Sequence, residues 1–87
     1  MKTITISVSF NISGHAAINV IPTNYNQWTP SQSSSNDYNL STGTYSITYF
    51  TATQAGGTIE VTEGGAVLAS FPLSVGVDGG NFDIVIV

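Results

Sequence analysis

Apolar and polar residues alternate with a period of two along most of this chain. Ile4, Ile6, Val8, Phe10 and Ile12 alternate with Thr3, Thr5, Ser7, Ser9 and Asn11, which predicts a first strand over 2–12 with one buried face. Ala16, Ile18 and Val20 form the next apolar set. A three-residue loop, Ser13-Gly14-His15, brings both sets to one face by pairing Ile12 with Ala16, Phe10 with Ile18 and Val8 with Val20, so side-chain parity predicts a hairpin. Further on, Leu40-Ser41-Thr42-Gly43 opens the strongest strand pattern, in which Tyr45, Ile47 and Tyr49 alternate with Ser46 and Thr48. This stretch is expected to be the central strand.

After Ala55-Gly56-Gly57, Ile59 and Val61 alternate with Thr58, Glu60 and Thr62. A two-residue Gly64-Gly65 turn would pair Val61 with Leu68 and leave Phe71 outside. A loop of Glu63-Gly64-Gly65 instead pairs Val61 with Val67 and Ile59 with Ala69, and carries Phe71 and Leu73 inward. That register leaves Leu68 on the outer face beside Glu60. The chain ends in an expected hairpin of Val75–Val77, a turn at Asp78-Gly79-Gly80, and Asn81–Val87. In its last arm Phe82, Ile84 and Ile86 take one face and Val85 and Val87 the other, so this strand is expected to be central or covered by a partner chain.

These elements make residues 1–87 one all-β domain, a single small β-sandwich of about seven antiparallel strands. The exception to the alternation is 22–39, a long loop of Asn, Gln, Ser, Thr and Pro carrying Tyr25, Trp28 and Tyr38. Its length predicts both a short strand hidden near 26–29 and a functional loop, with a mobile tip at 31–35.

Composition narrows the functions open to such a domain. Only 7% of the 87 residues are charged, Lys2 is the sole Lys or Arg, and the net charge is −4, which argues against nucleic acid and anionic membrane surfaces. No apolar run suits a membrane span or a signal peptide, and cysteine is absent, so neither a disulfide framework nor a thiolate metal site is available. The scarcity of Lys beside abundant Ser, Thr, Asn and Gly points to an extracellular, virion-surface or cell-surface setting. His15 has no acid, Cys or second His near it in sequence, no G-x-S-x-G elbow exists, and Glu60 and Glu63 fall on opposite strand faces; the reading is non-enzymatic, with no cofactor.

Three sets of residues carry candidate chemistry. Tyr25, Trp28 and Tyr38, with Asn24, Asn26, Gln27 and Asp37, offer ring faces and amide hydrogen bonds of the kind that hold a sugar. Asp78, Asn81 and Asp83 supply oxygens on a Gly-rich turn and raise calcium, although two carboxylates are few for that ion. Leu68, Val85 and Val87 form an apolar surface on strands that lack guarding Lys, Arg or Pro, which points to self-association. The favoured function is a non-catalytic structural or assembly module forming a homo-oligomer through strand edges and this patch. The alternative is a lectin-like glycan-binding module.

The stretch Leu40-Ser41-Thr42-Gly43-Thr44-Tyr45-Ser46-Ile47-Thr48 resembles the L-x-x-G-x-Y-x-[IV] strand of transthyretin-like and Cna-B-type immunoglobulin-like sandwiches. The resemblance implies a seven-stranded sandwich used as a spacer or binding module, as in adhesins and surface stalks. It also implies a place to look for a Lys–Asn isopeptide bond, between Lys2 and Asn81 with Glu60 as the assisting acid.

Overall fold

The computed structural model describes residues 1–87. Seven strands, β1 (Lys2–Phe10), β2 (Gly14–Ile21), β3 (Ser34–Leu40), β4 (Gly43–Thr53), β5 (Gly57–Glu63), β6 (Ala66–Leu73) and β7 (Gly76–Ile86), form two antiparallel sheets. One has the order β3-β1-β5-β6 and the other β2-β4-β7. The sheets face each other as a β-sandwich. Between them lie Ile4, Ile6, Val8 and Phe10 of β1, Ile18 and Val20 of β2, Tyr45 and Ile47 of β4, Ile59 and Val61 of β5, and Ile84 and Ile86 of β7. These are the residues that the period-two pattern turns inward, and each fully buried aliphatic chain contributes about 1.5–3 kcal/mol.

β4 is central, paired with β2 along one side and with β7 along the other. The Tyr45 hydroxyl donates to the Ser41 carbonyl at 2.8 Å and so ties the turn before β4 to the strand itself. Rings bridge the two sheets at β6 and β7: the Phe71 ring of β6 lies 4.7 Å from that of Phe82 of β7, which in turn lies 6.2 Å from that of Tyr49 of β4.

Three expected turns are built differently. β1 and β2 are not a hairpin but lie in opposite sheets, with Ile12 exposed in the crossover. Parity dictates which side chains face the core, and two strands facing each other across that core satisfy it as well as two neighbours do. The crossover is held instead by the β4–β5 link, through Asn11 N–H to the Gly56 carbonyl and Gln54 N–H to the Ser13 carbonyl, each 3.0 Å.

The β5–β6 hairpin uses the two-residue Gly64-Gly65 turn, with Glu63 facing Ala66 and both glycines at positive φ, as a type I′ turn requires. A bulge at Leu68 then restores parity, so Val61 faces Ala69 and Ile59 faces Phe71. Glu60 faces Ser70, so Leu68 does not sit beside it.

Asp78-Gly79-Gly80 is no turn either. β7 runs straight through it against Thr51, Phe50 and Tyr49. The Phe50 ring lies over Gly79 on the outer face and the Tyr49 ring over Gly80 on the inner one, so both bare stretches of backbone are covered by a neighbour's ring. Nor is β7 central: it is the edge of its sheet.

The fold makes its own mutational forecasts. A side chain at Gly57 would collide with the Ser9 carbonyl oxygen, so Gly57→Ala is expected to cost about 3 kcal/mol or more. Thr51 is buried with its hydroxyl unpartnered, so Thr51→Val should be neutral or stabilise by up to about 1 kcal/mol. Urea denaturation of the two variants beside the parent chain measures both; a destabilised Thr51→Val would mean that the hydroxyl has a partner.

Candidate functional site

A sandwich of two open sheets has four edge strands, and each edge exposes a row of backbone donors and acceptors. In this chain three of the four are guarded. On β2, Ile18 and Trp28 exchange backbone hydrogen bonds of 2.9 and 3.0 Å, and Ala16 N–H donates to the Pro30 carbonyl at 3.0 Å. The 22–33 segment is laid along β2 through an isolated bridge at Trp28, not the short strand expected near 26–29, and the half-buried Trp28 packs on the core.

On β3, the Asn39 N–H donates to the Tyr25 hydroxyl at 2.9 Å, and the outward Asp37 adds a charge. Ser34 and Ser35 belong to this strand, so the region expected as a mobile tip is partly ordered sheet; Phe10 N–H donates to the Ser33 hydroxyl at 2.9 Å. On β6, the Leu68 bulge and Pro72 interrupt the edge.

β7 carries Asp78 and Asp83 but has no covering chain, capping hydroxyl, bulge or Pro. Its eleven residues pair with β4 without a bulge, and no backbone segment lies against its other side. At about 3.3 Å per residue the strand spans about 36 Å. That matches the 36 Å long axis of the molecule, so the open edge runs its full length. Val75, Val77, Val85 and Val87 are exposed on or beside this strand, from 62% to 79% each. Val85 and Val87 were expected as association residues. Val75 and Val77 were not, because the supposed turn at 78–80 hid the parity they share with Val85. Leu68 lies in the other sheet and is not part of this surface.

The glycan candidates are dispersed. Tyr38 is buried, its ring meeting Tyr25 edge-on at 4.9 Å, so it offers no face to a ligand. Asp37 lies on the outer face of the four-stranded sheet, where it accepts the Thr5 hydroxyl at 2.7 Å in a ladder with Thr3–Asn39 and Ser7–Ser35. Trp28 is held on the β2 edge. Asn26 and Gln27 are exposed beside it in sequence. Asn24 and Tyr25 do share a shallow cavity of about 210 Å³ with Asn39, Ser41 and Tyr45.

The calcium candidates are also separated. The Asp78 carboxylate accepts Ser74 N–H at 2.9 Å and Gly79 N–H at 2.8 Å, whereas Asp83 accepts the Ser46 hydroxyl at 2.6 Å further along the strand. Asp78 has the parity of the inward residues of β7, and Asn81 and Asp83 have the outward one. Lys2, Asn81 and Glu60 do not meet either: Lys2 and Glu60 belong to one sheet, and Asn81 points outward from the other. His15 lines a cavity of about 390 Å³ with Ser13, Ser31, Thr53, Gln54 and Val77, and no carboxylate is among the lining residues.

Comparison with protein-family models, with curated proteins and with solved structures gives no match for this chain. The site therefore rests on its own geometry.

Two groups tie stability to pH. Burial raises the Tyr38 phenol above its ordinary 10.0, so the folded state favours the neutral form. That contribution is complete below about pH 10 and is lost as pH rises through the folded value. Hydrogen bonds from the Ser74 and Gly79 amides hold Asp78 below its ordinary 3.8, a contribution present above about pH 4 and lost as pH falls through the folded value. Thermal melts from pH 2 to about 11 should fall at both extremes. Tyr38→Phe should flatten the alkaline arm and Asp78→Asn the acid one. An alkaline arm unchanged in Tyr38→Phe would mean that the phenol is not shielded from water.

Proposed function

We propose that this chain is a non-catalytic structural module that assembles with identical subunits through the open β7 edge. One observation carries the reading: three edges are guarded by covering chain, a capping hydroxyl or a bulge, while the longest edge is left bare and lined with exposed valines. A bare edge supplies backbone hydrogen bonds to an incoming strand, and the flanking valines supply apolar area. The low-charge, Ser- and Thr-rich composition suits a cell-surface, virion-surface or extracellular setting for such an assembly.

The lectin-like alternative draws its support from the small cavity at Asn24 and Tyr25, the latter 43% exposed. It has lost Tyr38 as a stacking face, and its remaining members do not converge. Assembly is the better supported of the two.

Light scattering tests the assembly. The parent chain should have a mass above the 9.1 kDa of one subunit. Val77→Lys with Val85→Lys places charges on the open edge and should weaken association by at least about tenfold. Val67→Lys on the interrupted β6 edge should leave it unchanged. A parent chain that stays monomeric at every concentration would overturn the proposal.

A further inference from the structure

The valines of the outer face of β7 are placed symmetrically about Asn81. Val77 and Val85 lie four positions to either side of it, and Val75 and Val87 lie six. If a second copy lays its β7 antiparallel to the first, with Asn81 opposite Asn81, then Val77 faces Val85 and Gly79 faces Asp83. Directly opposed residues in antiparallel strands share a face, so Val77 and Val85 meet on the outer surface, with Val75 and Val87 just beyond the strand ends.

Two further features select this register. Asn81 is the midpoint of Gly76–Ile86, so only this centre pairs the whole strand, and each one-residue shift of the centre removes two residues from the overlap. Charge selects it as well. With four net negative charges on each subunit, the edge must avoid opposing its own carboxylates. Centred on Asn81, Asp78 faces Ile84 and Asp83 faces Gly79. Centred on Asp78 or Asp83, that carboxylate would face its own copy. At the axis itself, two Asn81 amides each bring a donor and an acceptor, so they can hydrogen-bond to one another.

We infer that the partner at this edge is a second copy of the chain, joined antiparallel about a two-fold axis through Asn81. The two three-stranded sheets become one six-stranded sheet of order β2-β4-β7-β7-β4-β2. This rests on the assembly reading above and specifies its partner and register. An antiparallel strand also suits closure, because the same patch serves both subunits and the remaining edges of the dimer are the guarded ones.

The chain has no cysteine, so single cysteines report the register cleanly. Opposed Cα atoms in such a pair lie within disulfide range. Asn81→Cys should therefore form a covalent dimer on mild oxidation. In Val77→Cys or Val85→Cys alone, the two thiols would be eight residues apart along the strands, about 27 Å, and should yield at least about tenfold less dimer. Mixing those two variants should restore the cross-link. Circular dichroism confirms that each variant is folded.

Cross-linking by Asn81→Cys and by the mixture, but not by the separate valine variants, supports the register. A parent chain that is oligomeric by light scattering, with Asn81→Cys folded yet unlinked or with Val77→Cys linking to itself, overturns the register and leaves assembly standing. A monomeric parent overturns both.

Discussion

Because five of the six connections pass from one sheet to the other, neither sheet of this molecule can form alone. Only β5 and β6 are joined as neighbours. β1 must find β3 and β5, and β4 must find β2 and β7, across intervening strands. What brings them together is the shared aliphatic layer, with Ile4, Ile6, Ile59 and Val61 on one side and Ile18, Ile47, Ile84 and Ile86 on the other, all buried. Each sheet is the solvent-excluding wall of the other. The crossovers that bind Asn11 to Gly56 and Gln54 to Ser13 are therefore placed by the core rather than the reverse. Such non-local pairing must repay loop closure before it is rewarded, which makes folding slow compared with hairpin-rich topologies.

A chain with a single basic side chain cannot use lysines to keep its strand edges apart, and the geometry shows what it uses in their place. The loop that departs from the alternating pattern supplies most of the protection. Trp28 and Pro30 pair with β2, and Tyr25 reaches β3 to accept an amide proton. The aromatics that look like a sugar platform in the sequence are occupied in closing this side of the sandwich, as Phe71 and Phe82 close the other. Their amphipathic character serves both purposes equally well: a ring packs on apolar surface while its polar tip finds a partner. Composition alone cannot separate a ring that binds sugar from one that binds its own core.

That ambiguity marks the boundary of what the residues reveal before the fold is known. The buried face was legible along β1, β2, β4, β5 and the last arm of β7, because a period of two follows from the pleat itself: Ile4, Ile18, Tyr45, Ile47 and Ile84 all point where the alternation says. By contrast β3 lies, but for Leu40, inside the stretch 22–39 expected as a loop, with exposed polar residues beside the buried Tyr38 and Leu40. Sheet membership was not, since β1 and β2 satisfy the same parity as neighbours or as opposites. The Leu68 bulge was also hidden. One inserted residue lets a two-residue turn and an inward Phe71 coexist, which strict alternation forbids. Asp78-Gly79-Gly80 carries the local signature of a turn and is overridden by β4, whose Tyr49 and Phe50 rings cover the glycines. The outward parity of Val85 was legible, and that of Val77 became so only once β7 was seen to be continuous.

The distribution of guarded and bare edges also decides what kind of assembly is possible. Two bare edges on different sides of a subunit would propagate, each added subunit offering a fresh edge to the next, and the product would be a fibre. A single bare edge that matches itself is consumed by the first partner. In the proposed pair the edges left over would be β2 under Trp28 and Pro30, β3 capped by Tyr25, and β6 broken at Leu68 and Pro72. Such a pair would carry twice the net negative charge of one subunit, which opposes further collisions. Limiting growth in this way requires no basic residue at all, so the scarcity of Lys and Arg is compatible with a finite oligomer as long as the covering loop stays in place. The 22–33 segment is then the element on which the difference between a closed pair and an open chain of subunits turns, even though it contributes little to the core.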